Sequence, residues 1–335
     1  MVEAAGILPH VVLRDRGRMC RDDREEARKV PDEWPTAGVV VATRDRPLLL
    51  ERAVGSIVAS RYPGCIKVYI VFDQTEPHLP EFELPPNRSV IGLVNTRSPG
   101  LAGARNTGIM AADTALIAFC DDDDEWLRDK LRLQVEALRN ERRAIVATTG
   151  IAVAFRGRVH ERVAARSTIT LKDLVRSRTF ELHPSSVVAW RRAVLEDIGL
   201  VDEQIPGGYG EDFEWQLRAA TLAPILAVRR PLVRVHWHES SWFADRWDTI
   251  IESILYLLDR HPELRTDPHG LSRLYGRMAF AHAAAGRGSQ ARRIAWDTIR
   301  LNWRERRGYL AVAVSLRLVS AQTLLRLAHR TGRGI

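Results

Sequence analysis

The chain has 335 residues, of which 45% are hydrophobic and 27% charged, enough for one large globular domain or for one domain plus a smaller appendage. Three widely spaced cysteines, Cys20, Cys65 and Cys120, argue against a disulfide framework or a cysteine-rich zinc site and fit a reducing compartment. The formal charge of +8 is unevenly placed: residues 261–335 carry 14 Arg against 4 acids, a net of +10, and the other 260 residues a net of −2.

That basic segment suits an anionic partner, lipid or nucleic acid. No nucleic-acid recognition motif accompanies it, so nucleic acid is not expected as a partner. A bias in base composition also explains part of the excess, because Lys29, Lys67, Lys130 and Lys172 are the only lysines. Arg14, Asp15, Arg16 and Arg18 come soon after Met1, a pattern that predicts no signal peptide.

Residues 1–34 are polar with weak periodicity and read as an N-terminal extension. Residues 38–43 (GVVVAT) form a buried strand that ends at Arg44-Asp45-Arg46-Pro47, whose proline suits the first position of a helix. Leu49, Leu50, Ala53, Val54, Ile57 and Val58 give that helix an apolar face. Residues 67–72 (KVYIVF) are a second strand ending in Asp73, and strand, helix, strand with short links argues for a parallel sheet. Residues 74–89 read as a proline-rich loop and 90–94 as a short strand. Ser98-Pro99-Gly100-Leu101-Ala102-Gly103 turns into a helix over about 104–112, where free backbone N–H groups can meet an anion beside Arg105.

Residues 116–126 (LIAFCDDDDEW) are the centre of the pattern. A short apolar strand runs into four consecutive carboxylates, and Trp126, Leu127, Leu131, Val135 and Leu138 continue at helical spacing. Read alone, acids at a helix N-terminus are favoured anyway. Four acids without a spacer repel one another, however, and are tolerated where a hard cation sits among the oxygens. In an open α/β sheet the carboxyl ends of strands are where ligands bind. Further strands are expected over 144–155 (or a hairpin arm there), 185–190, 225–228 and 232–237, with a short helix over 192–198. A glycine run, 207–210, leads into Glu211 and Asp212 at a helix start. The pattern is helical from Trp242, with one stripe of Ile250, Ile251, Ile254, Leu257 and Leu258, and residues 271–331 read as two or three more helices.

Five motifs, VVVATRDRPLLLERAVGSI, YIVFDQ, SPGLAGARNTGI, FCDDDDEW and GEDFEWQLR, in this order and spacing, resemble the inverting glycosyltransferases of family 2. The resemblance implies a GT-A fold, a Rossmann-like mixed α/β sheet with a C-terminal helical appendage. It divides the chain into the extension (1–34), a glycosyltransferase domain (35–247) and a helical segment (248–335). It implies a metal-dependent hexosyl- or deoxyhexosyltransferase of cell-envelope polysaccharide synthesis. Such an enzyme moves a sugar from a nucleotide-diphosphate sugar to a hydroxyl of a glycan or lipid-linked acceptor, with Mn²⁺ or Mg²⁺ as cofactor. Thr43 and Asp45 fall at the base pocket and Asp73 at the nucleoside, where Gln74 replaces the second acid of the family's usual pair. Arg105 and Asn106 match the Arg-Asn pair near the nucleotide. Asp121 and Asp123 fit the DxD motif, with Asp123 toward the metal and Asp121 toward the ribose. Four acids in a row leave the register open by one, so Asp122 is counted with the nucleotide-sugar contacts. Asp212 matches the catalytic base, supported by Glu211.

His236 and His238 point the same way on a strand, either as metal or phosphate ligands, with His238 preferred, or as partly buried histidines with ordinary partners. His183, before Pro184, and Trp215 are placed at the acceptor. The chemistry fits these residue types. A cation neutralises charge on the leaving diphosphate, and one carboxylate takes the proton of the attacking hydroxyl. A close pair of catalytic carboxylates, as in a retaining glycosidase, is not indicated. The alternative is a nucleotide-sugar-binding protein without catalysis, against which Asp212 stands. Residues 309–328 are apolar but interrupted by Arg317, Gln322 and Arg326, which excludes a spanning helix. The expectation is a cytoplasmic protein, with a helical cap or a peripheral contact to the anionic inner face of the plasma membrane.

Overall fold

The computed structural model describes residues 12–13, 33–177, 182–237 and 246–330. The first part alternates strand and helix: β1 (Val12–Leu13), β2 (Ala37–Thr43), α1 (Pro47–Val58), β3 (Ile66–Phe72), β4 (Arg88–Val94), α2 (Leu101–Ala111), β5 (Leu116–Phe119), β6 (Glu125–Trp126) and α3 (Lys130–Asn140). Then come β7 (Val146–Phe155), β8 (Arg158–Arg162), β9 (Thr168–Ile169), α4 (Leu171–Arg176), β10 (Val188–Trp190), the short α5 (Arg191–Ala193), α6 (Glu211–Leu222) and β11 (Ile225–His236). Five helices close the described chain: α7 (Trp247–Arg260), α8 (Pro268–Ala284), α9 (Gly288–Leu301), α10 (Arg306–Ser315) and α11 (Ala321–Arg330).

All strands join one mixed sheet, in the order β1-β4-β3-β2-β5-β10-β7-β11-β6, with β8 on β7 and β9 on β11. β4, β3, β2 and β5 are parallel, as the strand–helix alternation requires. β10 runs antiparallel to both β5 and β7, which makes the sheet mixed. The pleat sorts the β-branched run of β2 between two cores. Val39 and Val41 join Leu50, Val54, Ile57, Leu131 and Val135 on the α1/α3 side, while Val40 joins Ile109, Phe213, Leu217 and Ile254 on the α2/α6/α7 side. Gly108 lets α2 lie close on the sheet, since a Cβ there would sit 2.4 Å from Val40.

Several elements depart from the sequence expectation. The helix expected from Trp126 begins only at Lys130, because Glu125 and Trp126 pair with Arg234 and Val233 of β11 and the Trp126 N–H donates to Ser56 Oγ at 2.9 Å. The two strands expected over 225–237 are one, β11, whose register shifts around Pro231, a residue with no N–H for the ladder. The C-terminal region holds four helices after α7, not two or three, because turns at 285–287, 302–305 and 316–320 divide it. Cys120 is free and buried. The stripe of α7 packs into the sheet core, whereas α8–α11 share a small core of Ala279, Phe280, Ala283, Ala291, Ala295, Ala311 and Ala321.

Candidate active site

β2, β3 and β5 end at one edge of the sheet, where the register places Thr43 beside Phe72 and Val40 beside Phe119. Thr43, Asp73 and the four acids after Cys120 therefore meet there, although they are far apart in sequence. Each acid has a different environment. Asp121 Oδ1 accepts from Arg105 Nη2 at 2.8 Å, and its backbone N–H donates to Ser185 Oγ at 2.9 Å. Asp122 is buried, and accepts from Thr43 Oγ1 at 2.8 Å and from Arg46 Nη1 at 3.2 Å. Asp123 is partly exposed and accepts from the same Arg46 nitrogen at 3.2 Å. Asp124 is 1% exposed; its Oδ2 accepts from Ser185 Oγ at 2.5 Å and lies 3.3 Å from His183 Nδ1. Burial pushes the Asp122 carboxyl up to about 6, and burial together with the charge of Asp121 pushes Asp124 well up.

Arg105, buried on α2, joins this loop to α6. Its second arm donates from Nη1 to Glu211 Oε1 at 2.9 Å. Burial works against the guanidinium charge, but Asp121, Glu211 and Asp212 outweigh it and hold Arg105 protonated. Glu211 is underpaired: burial, with Asp212 adding, lifts its carboxyl to about 7. Asp212, half-buried, follows in the first turn of α6. The glycines before it are required by backbone geometry. Gly207, Gly208 and Gly210 have φ of +57°, +70° and +91°, and a Cβ at Gly207 would lie 2.4 Å from Thr249.

Asp121, Asp124 and His183 each offer a ligand atom, and these atoms lie within 4.8 Å of one another. Two carboxylates and an imidazole suit a divalent cation. Burial, with the charge of Asp121 adding, raises Asp124, a cost that a cation beside it would relieve, and burial holds the His183 imidazole toward its neutral, ligating form. The residues present fit a metal ion. The Asp123 carboxylate is turned to Arg46 instead. His238 lies outside the described residues, and His236 is engaged by Glu125 Oε1 at 2.6 Å.

Along the same edge, Asp73 accepts from Asn95 Nδ2 at 2.8 Å and from the Gly100 N–H at 3.0 Å, closing the turn that starts α2. Asp45 accepts from Thr75 Oγ1 at 2.8 Å, so it ties the loops after β2 and β3. Asn106 and Trp215 face inward. Asn106 clamps the backbone of Val201 (2.8 Å in both directions) and donates from Nδ2 to Glu203 Oε1 at 2.7 Å. Trp215 is 3% exposed, donates to the Gly199 carbonyl at 3.0 Å, and packs edge-on against Phe119. Sequence reasoning passed over Arg46, Asp124, Ser185 and Glu203. Burial works against the Glu203 charge, but hydrogen bonds from Ser98, Asn106 and Arg97 hold its carboxyl near 2. Arg46 and Asp124 adjoin motif residues and carried a local signal. Ser185 and Glu203 carried none.

A mixed α/β sheet with acidic ligands at its carboxyl edge and further carboxylates at the next helix start defines the GT-A class of nucleotide-diphospho-sugar proteins. Residues 38–199 match the family "Glycosyl transferase family 2". The chain shares its fold with S. aureus TarS residues 1–349 in complex with UDP, at TM-score 0.55 and 14% identity over 89% of this chain and 92% of that one. It is similar in fold to the mannosyltransferase PcManGT of Pyrobaculum calidifontis in complex with GDP-Man and Mn²⁺, at TM-score 0.53 and 17% identity over 89% of this chain and 85% of that one. A 46-residue stretch is 44% identical to the Escherichia coli UDP-Glc:alpha-D-GlcNAc-diphosphoundecaprenol beta-1,3-glucosyltransferase WfgD, and spans 14% of this chain and 18% of that protein.

Proposed function

We propose that the protein is a metal-dependent inverting glycosyltransferase. It transfers a sugar from a nucleotide-diphosphate donor to a hydroxyl of a glycan or lipid-linked acceptor, with Mn²⁺ or Mg²⁺ as the cation. One observation carries the reading: Arg105 joins the acidic loop to the start of α6, with Asp121 on one arm and Glu211 on the other. That brings a cation-binding edge and a proton-accepting edge into one cluster. PcManGT, whose name gives GDP-Man and Mn²⁺ as its ligands, and WfgD, whose name gives a diphosphoundecaprenol acceptor, support the donor and acceptor classes.

Asp121, Asp124 and His183 would hold the cation, which would stabilise negative charge on the leaving diphosphate. Thr43, Asp45 and Asp73 line the nucleoside side. Arg105 fixes the orientation of Asp121, and its charge keeps the carboxylates from repelling the loop apart. The acceptor oxygen attacks the anomeric carbon on the face opposite the diphosphate. The bond to the diphosphate breaks with its electron pair on the nucleotide, and the hydroxyl proton passes to the Asp212 carboxylate. One displacement inverts the anomeric centre. Glu211, held by Arg105, keeps the α6 N-terminus in place beside Asp212. The basic C-terminal segment meets an anionic membrane surface from the inner side.

The test is a panel of nucleotide sugars incubated with the protein and Mn²⁺, followed by nucleotide release and by NMR of any product. Release from one donor class, and a product of inverted anomeric configuration, are expected. Binding of a donor with no turnover against any hydroxyl acceptor would favour the non-catalytic alternative.

A further inference from the structure

The outward face of α9 does nothing for the fold and carries an unusual composition. Its inward residues are Ala291, Ala295 and Thr298, which pack against α8 and α10. At about 100° per residue, Arg292, Trp296, Arg300 and Arg293 fall within one arc of about 100° on the opposite side. All four are exposed, Trp296 by 61%. The strip continues past the helix end, where Trp303 is 67% exposed and the Arg304 guanidinium lies 4.9 Å from its ring. Among the described residues, none of these arginines is in an ion pair with a carboxylate.

Two large indoles left in water beside unpaired cations mark a contact surface rather than a solvated one. Tryptophan prefers the interface between headgroups and acyl chains, and arginine beside it is drawn to anionic headgroups. The charge bias points to the same occupant, since residues 261–335 carry +10 while the rest of the chain is close to neutral. No helix among the described residues is long and apolar enough to cross a membrane, and the α9 face suits a surface contact.

We infer that the Arg292–Arg293–Trp296–Arg300 face of α9, extended by Trp303 and Arg304, is a docking surface for an anionic phospholipid bilayer. This deepens the acceptor half of the proposed function and rests on it for its purpose, because a transferase docked this way meets a lipid-linked acceptor at its membrane. The arginines supply long-range attraction, and the indoles supply insertion.

The test is co-sedimentation of the full chain with vesicles of phosphatidylcholine alone and of phosphatidylcholine mixed with phosphatidylglycerol, at low and high salt. Tryptophan emission is recorded on the same samples. Binding to the anionic vesicles only, weakened by salt and accompanied by a blue shift, is expected. The R292Q/R293Q/R300Q variant lowers the partition coefficient by about a hundredfold, from three cations at about fivefold each. W296S/W303S abolishes the blue shift. Equal binding to both vesicles, no binding, or unchanged partition in the arginine variant overturns the proposal and leaves the face for a protein partner. UDP and GDP affinity with Mn²⁺ is measured in parallel. Loss of vesicle binding with nucleotide affinity intact removes only the surface, whereas a wild-type chain that binds vesicles but no nucleotide removes the transferase reading.

Discussion

Helix α6 holds two buried glutamates one turn apart, and they belong to opposite kinds of charge cluster. Glu214, fully buried, accepts from Arg218 at 2.8 Å on each oxygen and from His261 at 3.1 Å, while His261 turns its other nitrogen to Glu263 at 2.9 Å. Burial works against the Glu214 charge, but His261 and Arg218 outweigh it and hold the carboxyl below the ordinary range. Here two cations face two acids, and the cluster serves the fold. Glu211 sits where Asp121 to Asp124 and Asp212 add five more acids; Arg105 pairs with Asp121 and Glu211, and Arg46 with Asp122 and Asp123. Its carboxyl rises to about 7. The difference teaches where a ligand belongs: charge that the protein neutralises itself is structural, and charge left over is matched to something that binds.

The largest effect expected of this contrast is on the underpaired side. Chelation, or Asp121→Asn, lowers transferase turnover by roughly 10³ or more, since a cation on a leaving diphosphate is worth several kcal/mol. Donor turnover after dialysis against chelator and re-addition of Mn²⁺ checks this, and full turnover in chelator would sink it. On the balanced side, Glu214→Gln leaves Arg218 and His261 without their carboxylate and costs about 3 kcal/mol of stability. Urea denaturation measures that cost, and a change under 1 kcal/mol would show that the cluster is not what holds α6 against α7. Asp212→Asn lowers kcat by about 10² while nucleotide affinity stays close to wild type. Lost affinity with retained turnover would move the base elsewhere.

Smaller effects come from pH. For Glu211 the unfolded chain loses its proton near 4.5 while the folded chain keeps it to about 7. The folded state therefore binds more protons in that window, and stability declines as pH rises through it. Metal-free Glu211→Gln is expected to lack that decline in urea titrations between pH 4.5 and 7. His261 runs the other way: partners outweigh burial and raise it above 6.5, so its contribution is present below 6.5 and is lost as pH climbs through the raised value. The last effect belongs to Lys130. It is fully buried, its Nζ has no hydrogen-bond partner among the described residues, and it lies 3.7 Å from the Trp126 ring. Burial lowers it to about 7, so the unfolded state binds more protons between 7 and 10.5 and stability rises with pH there. Lys130→Met is expected to remove that rise and to cost less than about 1 kcal/mol at pH 7. A loss of several kcal/mol would assign the ammonium a partner in the native state.

The sequence by itself determined the strand–helix alternation, the two-sided burial of β2 and the acidic loop after β5. These are properties of neighbouring residues: apolar period, turn chemistry and a run of like charge. The five motifs also carried the family, which residues 38–199 match. Only the tertiary structure decided which acid is neutralised and which is left over. That depends on partners far along the chain: Thr43 reaches Asp122 across 79 residues, Ser185 reaches Asp124 across 61, and Arg105 reaches Glu211 across 106. It also turned Asn106 and Trp215 inward, gave Asp123 to Arg46, and set Glu125 and Trp126 in the sheet against the helical period that follows them. A charge in a sequence has no fixed environment. Its protonation, and with it its chemistry, comes from the desolvation and the countercharges that the fold assembles around it.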